Sequence, residues 1–416
     1  METAGKRKKE YVMRNRFTVL ACAAIILAMA GCAAPVRKKE LTVFFPPAPE
    51  LPRVQYLASF TRQKDIETQS AFDKFIKGDT ARTRLNKPYG VGIYDGKIYV
   101  CDTNTTVMVF DFNEKKYYPL DGARGQGKLM QPQNIYIDKD GTKYVADPVR
   151  GQVVVFDRND QYVRAYGLPG KWKPVDAVTY GDELYVVDTE NGMVKVFDKK
   201  TGEIIRTIGN KGDASEKLYR PTNAAFDEEG NIYVSDFIRF QIVEFDRDGH
   251  FLKAFGRAGD SVGSFSRPRG IFVDKNGYLF AVDAAFNNVQ IFNKEGRLLM
   301  FFGNMANAYE RGALVLPAQV VVDTDNLKYF QQYVDPSFEA EELIIVTSQF
   351  GDRMVSLYAL GKEKGVKYPT DEEILEKLKE ERKEELEKLK KAEKKGDEKA
   401  GEAGNTERPA EAPAGK

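Results

Sequence analysis

Cysteine, histidine and tryptophan are nearly missing from this chain, whose 416 residues include three Cys, one His and one Trp. Three cysteines build no disulfide framework. A lone histidine, His250, has no second imidazole with which to form a zinc site. Net charge is also missing: 63 Lys and Arg stand against 62 Asp and Glu. That balance argues against nucleic-acid binding through a broadly basic surface. No Gly-x-Ser-x-Gly, His-Glu-x-x-His, Cys-x-x-Cys-His or phosphate loop occurs, so the common signatures of hydrolases, zincins, c-type haem and nucleotide binding are absent.

A long uncharged run occurs near the start, from Phe17 to Val36, behind the basic Arg14 and Arg16. Basic flank, apolar core and small-residue site together read as a secretory signal. Within it, Met29-Ala30-Gly31-Cys32 places small residues directly before a cysteine. The pattern resembles the lipobox of bacterial lipoproteins, and the resemblance implies cleavage before Cys32 and its acylation. An uncleaved anchor is the alternative, since about 20 uncharged residues span a bilayer as a helix. Loss of residues 1–31 would leave a formal balance of −3. Cys22 would depart with the leader, and Cys101 takes a strand position held elsewhere by Ala146, Val187 or Ser235, which reads as a packed small residue.

What the chain does have is a period. Between Pro88 and Leu360 one phrase of about 41 to 49 residues recurs six times, opened by Pro88, Pro132, Pro174, Pro221, Pro268 and Pro317. Each holds a short apolar strand, a turn, a second strand and a third ending near Phe-Asp. The second strand closes on Asp102, Asp147, Asp188, Asp236 and Asp283 in the first five units. A repeat of this length made of short strands predicts an all-β, six-bladed β-propeller with four antiparallel strands per blade. Asp/Gly turns such as Asp227-Glu228-Glu229-Gly230 supply the positive φ and local hydrogen bonding that tight turns need. The sixth unit stops after three strands, and Arg53–Phe60 resembles an outer strand, so the N-terminal segment should close the ring over 51–361.

Three segments depart from the repeat. Residues 61–87 form a long lead-in with an expected short helix around 71–76. An insertion over 325–342 carries Tyr329, Phe330, Tyr333 and Phe338, and reads either as a functional loop or as a segment folded back on its own ring. After Gly365, Thr370-Asp371-Glu372-Glu373 is a capping-box start for a charged, solvated helix over 366–395, followed by a Gly/Glu/Ala/Pro tail expected to be disordered over 396–416.

Arg267-Pro268-Arg269-Gly270-Ile271-Phe272-Val273-Asp274 and Asn231-Ile232-Tyr233-Val234-Ser235-Asp236 are similar to the NHL repeat, and the lipobox ahead of them resembles bacterial NHL-repeat lipoproteins. The resemblance covers about 51–361 and implies the six-bladed fold. It also implies that the Pro-rich 32–50 segment is a stiff spacer off a membrane. NHL-like lyases and related enzymes place histidines around a metal, which one histidine does not allow.

Several residue sets are candidates for function. The recurring acids could hold calcium or bond loop backbone; the second reading explains their recurrence, and no metal or cofactor is expected. Phe237, Arg239, Phe240, Phe286 and Phe350 replace the usual small residues in loops on one face and suit a protein partner, unless the rings tuck between blades. Two residues after each opening proline, Asn134, Asp176, Asn223 and Gln319 are axial candidates for a small molecule or glycan, or substitutes for glycine at positive φ. The leading expectation is a non-catalytic, lipid-anchored scaffold in the bacterial envelope with a protein partner, possession of Ala33 after the cysteine favouring the outer membrane. A ligand-binding propeller and a metal-dependent hydrolase or lyase are the alternatives. Cys32→Ala is expected to abolish the membrane-bound product of mature mass, as read by fractionation and intact mass; a membrane-bound product of mature mass would refute acylation at Cys32.

Overall fold

A strand that is apolar on both faces must be covered on both, and here the covering elements are the neighbouring blades. The computed structural model describes residues 42–67, 84–104, 106–261, 263–304, 307–370, 373–374, 376–384 and 386–388. Its strands form five four-stranded sheets and one five-stranded sheet. The fourth blade shows the pattern: Pro221–Phe226, Ile232–Asp236, Gln241–Phe245 and Phe251–Phe255 pair antiparallel in chain order. First strands of successive blades touch in a closed cycle, with Pro317–Asp323 of blade six returning to Pro88–Tyr94 of blade one. Six hydrophobic clusters fill the six gaps between blades. Val175, Val194 and Val243, for example, lie in the gap between blades three and four. Each blade thus buries its apolar residues only because a neighbour stands on either side.

The ring closes as expected. Val54–Phe60 is the outer strand of blade six, paired antiparallel with Val355–Glu363. One further strand was not foreseen: Phe44–Phe45 folds back on Val54 and Gln55, with the Arg53 amide donating to the Phe45 carbonyl at 2.8 Å. Phe45 is buried against Phe302 and Tyr358. The Pro-rich stretch is therefore not a free spacer from residue 44 onward; its two Phe rings find apolar partners on the propeller, and burying them outweighs an extended chain in water.

The aromatic insertion folds back on the ring. Leu327–Tyr333 is a 3-10 segment, and Phe330 is fully buried, with its ring 4.8 Å from that of Phe112 in blade one. Asn326 Oδ1 accepts the Gly96 amide at 2.8 Å, and the Tyr329 hydroxyl donates to Asp95 at 3.0 Å. The segment clamps blade six to blade one at the seam where the chain ends meet. Its last residues are strand, since Phe338–Ser348 runs as one element.

Turn chemistry follows the sequence: Gly230 has φ 88°, and Asp227 accepts the Asn231 amide. The capping box at the C-terminal helix is formed, Thr370 N–H to Glu373 at 2.9 Å and Glu373 N–H to the Thr370 hydroxyl at 3.2 Å. Described helical residues between 373 and 388 are exposed, with Leu378 and Leu386 in solvent, as a solvated single helix requires. The leader with Cys32, the 71–76 helix and the 396–416 tail lie outside the described residues. No helix among the described residues is long and apolar enough to cross a membrane.

Deleting residues 51–60 removes the outer strand that joins the two chain ends. Thermal unfolding should fall by more than about 10 °C, because several buried side chains at roughly 1.5–3 kcal/mol each are lost. An unchanged midpoint would mean that blade six closes without this strand.

Candidate functional site at the axial mouth

The five strand-end acids are buried and determine the shape of one face. Each binds the backbone just ahead of an opening proline. The N–H groups of Asn86 and Lys87 donate to Asp102, and those of Met130 and Gln131 to Asp147. Lys173 N–H donates to Asp188 at 3.2 Å. Tyr219 and Arg220 donate to Asp236, and Ser266 and Arg267 to Asp283, at 2.6 to 3.2 Å. The same carboxylates accept amides of the loop from second to third strand, as Asp236 does from Ile238 and Arg239. A carboxylate with three or four charge-assisted bonds ties two loops into one rigid rim. Among the described residues no group of three or more His, Cys, Asp or Glu side chains converges as metal ligands.

Inside that rim lies a cavity of about 780 Å³. Its lining comes from the residues either side of the opening prolines, including Lys173, Arg220, Arg267 and Arg269, together with Tyr89, Trp172 and Phe237. Two guanidinium groups lie over rings: Arg269 at 5.4 Å from the Tyr89 centroid and Arg220 at 5.6 Å from that of Phe237. Lys173 stands 3.6 Å from Glu190. Arg269 reaches from blade five to Tyr89 in blade one, past blade six, which has Ala318 at the corresponding position. Burial pushes the Tyr89 phenol up, against the pull of the Arg269 guanidinium.

The axial candidates sit elsewhere. Asn134, Asp176, Asn223 and Gln319 are buried and do not line the cavity. Asp176 accepts from the Asn134 amide at 2.6 Å, the Asn223 amide at 3.3 Å, and the backbone N–H groups of Ala177 and Ala224 at 2.8 and 2.9 Å. None of the positions two after a proline has positive φ, so the glycine-substitute explanation fails as well. Gly90 and Gly270 are needed for close approach: a Cβ there would meet Asn134 Oδ1 at 2.2 Å and Gln319 Oε1 at 1.8 Å. Asn134, Asp176 and Asn223 form inter-blade bonds about the axis, whereas Gln319 accepts the Val320 amide within its own blade, because a side chain two after the proline points away from the mouth while its neighbour one after points to it.

The aromatic face divides. Phe237 lines the cavity. Phe240 packs against the cluster between blades four and five, as the tucked alternative had it. Phe286 is half-buried, and Phe350 is 55% exposed. Arg239 is a loop brace, donating from Nη1 to the Lys217 carbonyl at 2.8 Å and from Nε to Gln241 at 3.0 Å. Arg150 makes the equivalent pair of bonds to Lys128 and Gln152; the shared Arg-x-Gln spacing was the available signal. His250 is exposed on Asp246 at 2.8 Å, and burial pushes the Cys101 thiol up, so neither is set up as a reactive group. The cations missed in the sequence had a signal too: Lys173, Arg220 and Arg267 each precede an opening proline, and Arg269 follows one.

A family model described as a 6-bladed beta-propeller matches residues 171–254, which covers blade three and most of blade four. Among solved structures, the chain is similar to a structural genomics protein of unknown function from Bacteroides thetaiotaomicron, with 15% identity over 74% of this chain and 75% of that one and a TM-score of 0.53. It is also similar to an auxiliary nutrient binding protein from the same organism, at 11% identity over 67% and 70% with a TM-score of 0.50. A virginiamycin B lyase from Staphylococcus aureus aligns at 13% identity over 68% and 86%, with a TM-score of 0.43. At such identities the likeness speaks for the fold alone.

Beneath the mouth, burial pushes the Asp176 carboxyl up to about 7 against the pull of its four donors. The neutral acid is favoured in the fold. Below the unfolded value of 3.8 this group's contribution to stability is fully present, and it is lost as pH rises through about 7. Infrared difference spectra should show a protonated-carboxyl component at pH 5 that disappears near pH 7 and is missing in Asp176→Asn, leaving only that of Glu342, whose carboxyl burial also pushes up to about 7. No component dependent on Asp176 at pH 5 would mean that Asn134 and Asn223 hold the charge.

Proposed function

We propose that this propeller is a binding protein whose small-molecule ligand seats in the axial mouth. The observation that carries the reading is the cavity of about 780 Å³, walled by aromatic rings and charged side chains on backbone pinned by buried aspartates. Its size lies in the range of pockets that enclose small ligands, and its mixture of rings and a few converging polar groups is the usual composition of such pockets. A preformed rim lowers the ordering cost of binding. The reading is non-catalytic: the chain's single histidine is on Asp246 at the opposite face, and the strand-end acids are engaged with loop amides. Export and acylation at Cys32 would place this mouth in the bacterial envelope.

A second reading, a protein-binding scaffold, is favoured by Ile238 and Phe350, which are 51% and 55% exposed in loops on the same face. Arg239 no longer belongs to that surface. The two readings separate by dialysis of the purified full chain against a mixed set of oligosaccharides, organic acids, amino acids and nucleotides, with retained molecules identified by mass spectrometry. Thr222→Trp, which projects an indole into the mouth from its lining, should abolish retention, while Ile238→Ser with Phe350→Ser should leave it intact. Retention unaffected by Thr222→Trp, or confined to no small molecule at all, would overturn the mouth and leave the exposed face as the site.

A further inference from the structure

The cavity lining has four cations, Lys173, Arg220, Arg267 and Arg269, against one carboxylate, Glu190. Lys173 is occupied with that carboxylate. Among the described residues, the side chains of Arg220, Arg267 and Arg269 have no hydrogen-bonding or ion-pair partner; Arg220 and Arg269 have only their rings. Arg269 is the most constrained of the three. Its Nη1 is buried and has no acceptor, although its guanidinium plane is held by Tyr89. A buried charged donor without an acceptor is costly to the fold. An oxygen of a ligand seated in the mouth would supply the missing acceptor.

We infer that the ligand of the mouth is an organic oxyanion, a molecule bearing carboxylate, phosphate or sulfate, anchored on Arg269 with Arg220 and Arg267 as further contacts. This inference rests on the ligand-binding reading above and adds the ligand's chemical class. Guanidinium presents paired N–H donors that match the two oxygens of such groups. Stacking on Tyr89 fixes the plane of that fork before the ligand arrives, and the aromatic wall at Trp172 and Phe237 leaves room for a ring or chain attached to the acid.

Calorimetry on the full chain in detergent decides the matter, with trigalacturonate, fructose 1,6-bisphosphate and a heparin disaccharide as the carboxylate, phosphate and sulfate probes and neutral cellotriose as the reference. At least one anion should bind about tenfold or more tightly than cellotriose, with affinity falling as salt rises. Arg269→Gln should weaken that anion about tenfold or more, Arg269→Lys should keep part of it, and Arg220→Gln should weaken it less than Arg269→Gln. The Arg269→Gln thermal midpoint should stand at or above the native one, since a buried unpartnered donor has been removed; this separates lost recognition from lost folding. If cellotriose binds as well as the anions, or Arg269→Gln and Arg220→Gln both bind the anion like the native chain, the oxyanion class is wrong. In that case ligand binding survives provided that Thr222→Trp still abolishes it. If no probe binds the native protein, the oxyanion class falls, and retention in the dialysis experiment shows whether the mouth falls with it.

Discussion

The bond between a buried strand-end aspartate and the backbone ahead of its own blade's opening proline is what the rest of this structure depends on. It is made in five of six blades, always to the N–H of the residue that precedes the opening proline. Proline has no N–H of its own, so the last amide before it is the final chance to anchor the chain before the inner strand begins. The aspartate supplies that anchor, and the same carboxylate holds the loop from second to third strand, through its other oxygen in Asp147 and Asp283. Two irregular segments per blade are thereby fixed without a sheet. In blade six Ser348 replaces the acid, and its hydroxyl accepts the Val315 amide at 3.2 Å while Leu316 turns to Asn287.

Closure makes that rim rigid. An open ring would leave two strand edges and two apolar faces uncovered. Here Val54–Phe60 covers one edge, Phe44–Phe45 extends it, and the 3-10 segment with Phe330 seals blade six to blade one. The large aromatic residues at this seam, Phe60, Phe110, Phe112 and Phe330, make contacts at 4.8 to 6.3 Å. A ring held this way resists splaying at its mouth, so the positions of Tyr89 and Arg269 on either side of blade six are set by the fold.

Much of this was legible in the sequence because repetition averages over local accidents. Period, strand-end acids, Asp/Gly turns and the closing N-terminal strand could be read directly. Three of the axial candidates stand one residue away from those that line the cavity. Asn134, Asp176 and Asn223 drew attention as polar residues near the axis, yet on an inner strand one step along the chain reverses the side-chain direction. Their neighbours Gln133, Val175 and Thr222 face the cavity, and they face each other. Gly90 and Gly270 looked like conformational glycines and are in fact clearance for Asn134 and Gln319, a contact between blades that no single repeat reveals. Arg239 looked like a hot-spot residue until its bonds to Lys217 and Gln241 were seen. The fold-back of Phe44 and Phe45 had no repeat to betray it.

A near-neutral composition hid the mouth because the charges that cancel in a sum are separated in space. Five acids are buried beneath the loops and bind amide N–H groups, while the side chains of the residues they anchor project to the rim. Those acids still act on the cavity: Asp188, Asp236 and Asp283 bind the amides of the lining cations Lys173, Arg220 and Arg267 and weaken the potential felt at a distance. Long-range attraction of an anion is therefore modest, since exposed charges more than a Debye length away are screened as well. Recognition falls to groups in direct contact, where geometry matters more than total charge. A flexible lysine already paired with Glu190 contributes little there. A guanidinium held flat on Tyr89 with a buried, unanswered nitrogen contributes a fixed direction and an unmet bond, and that is a property of one residue in its place, invisible to any count of basic and acidic residues.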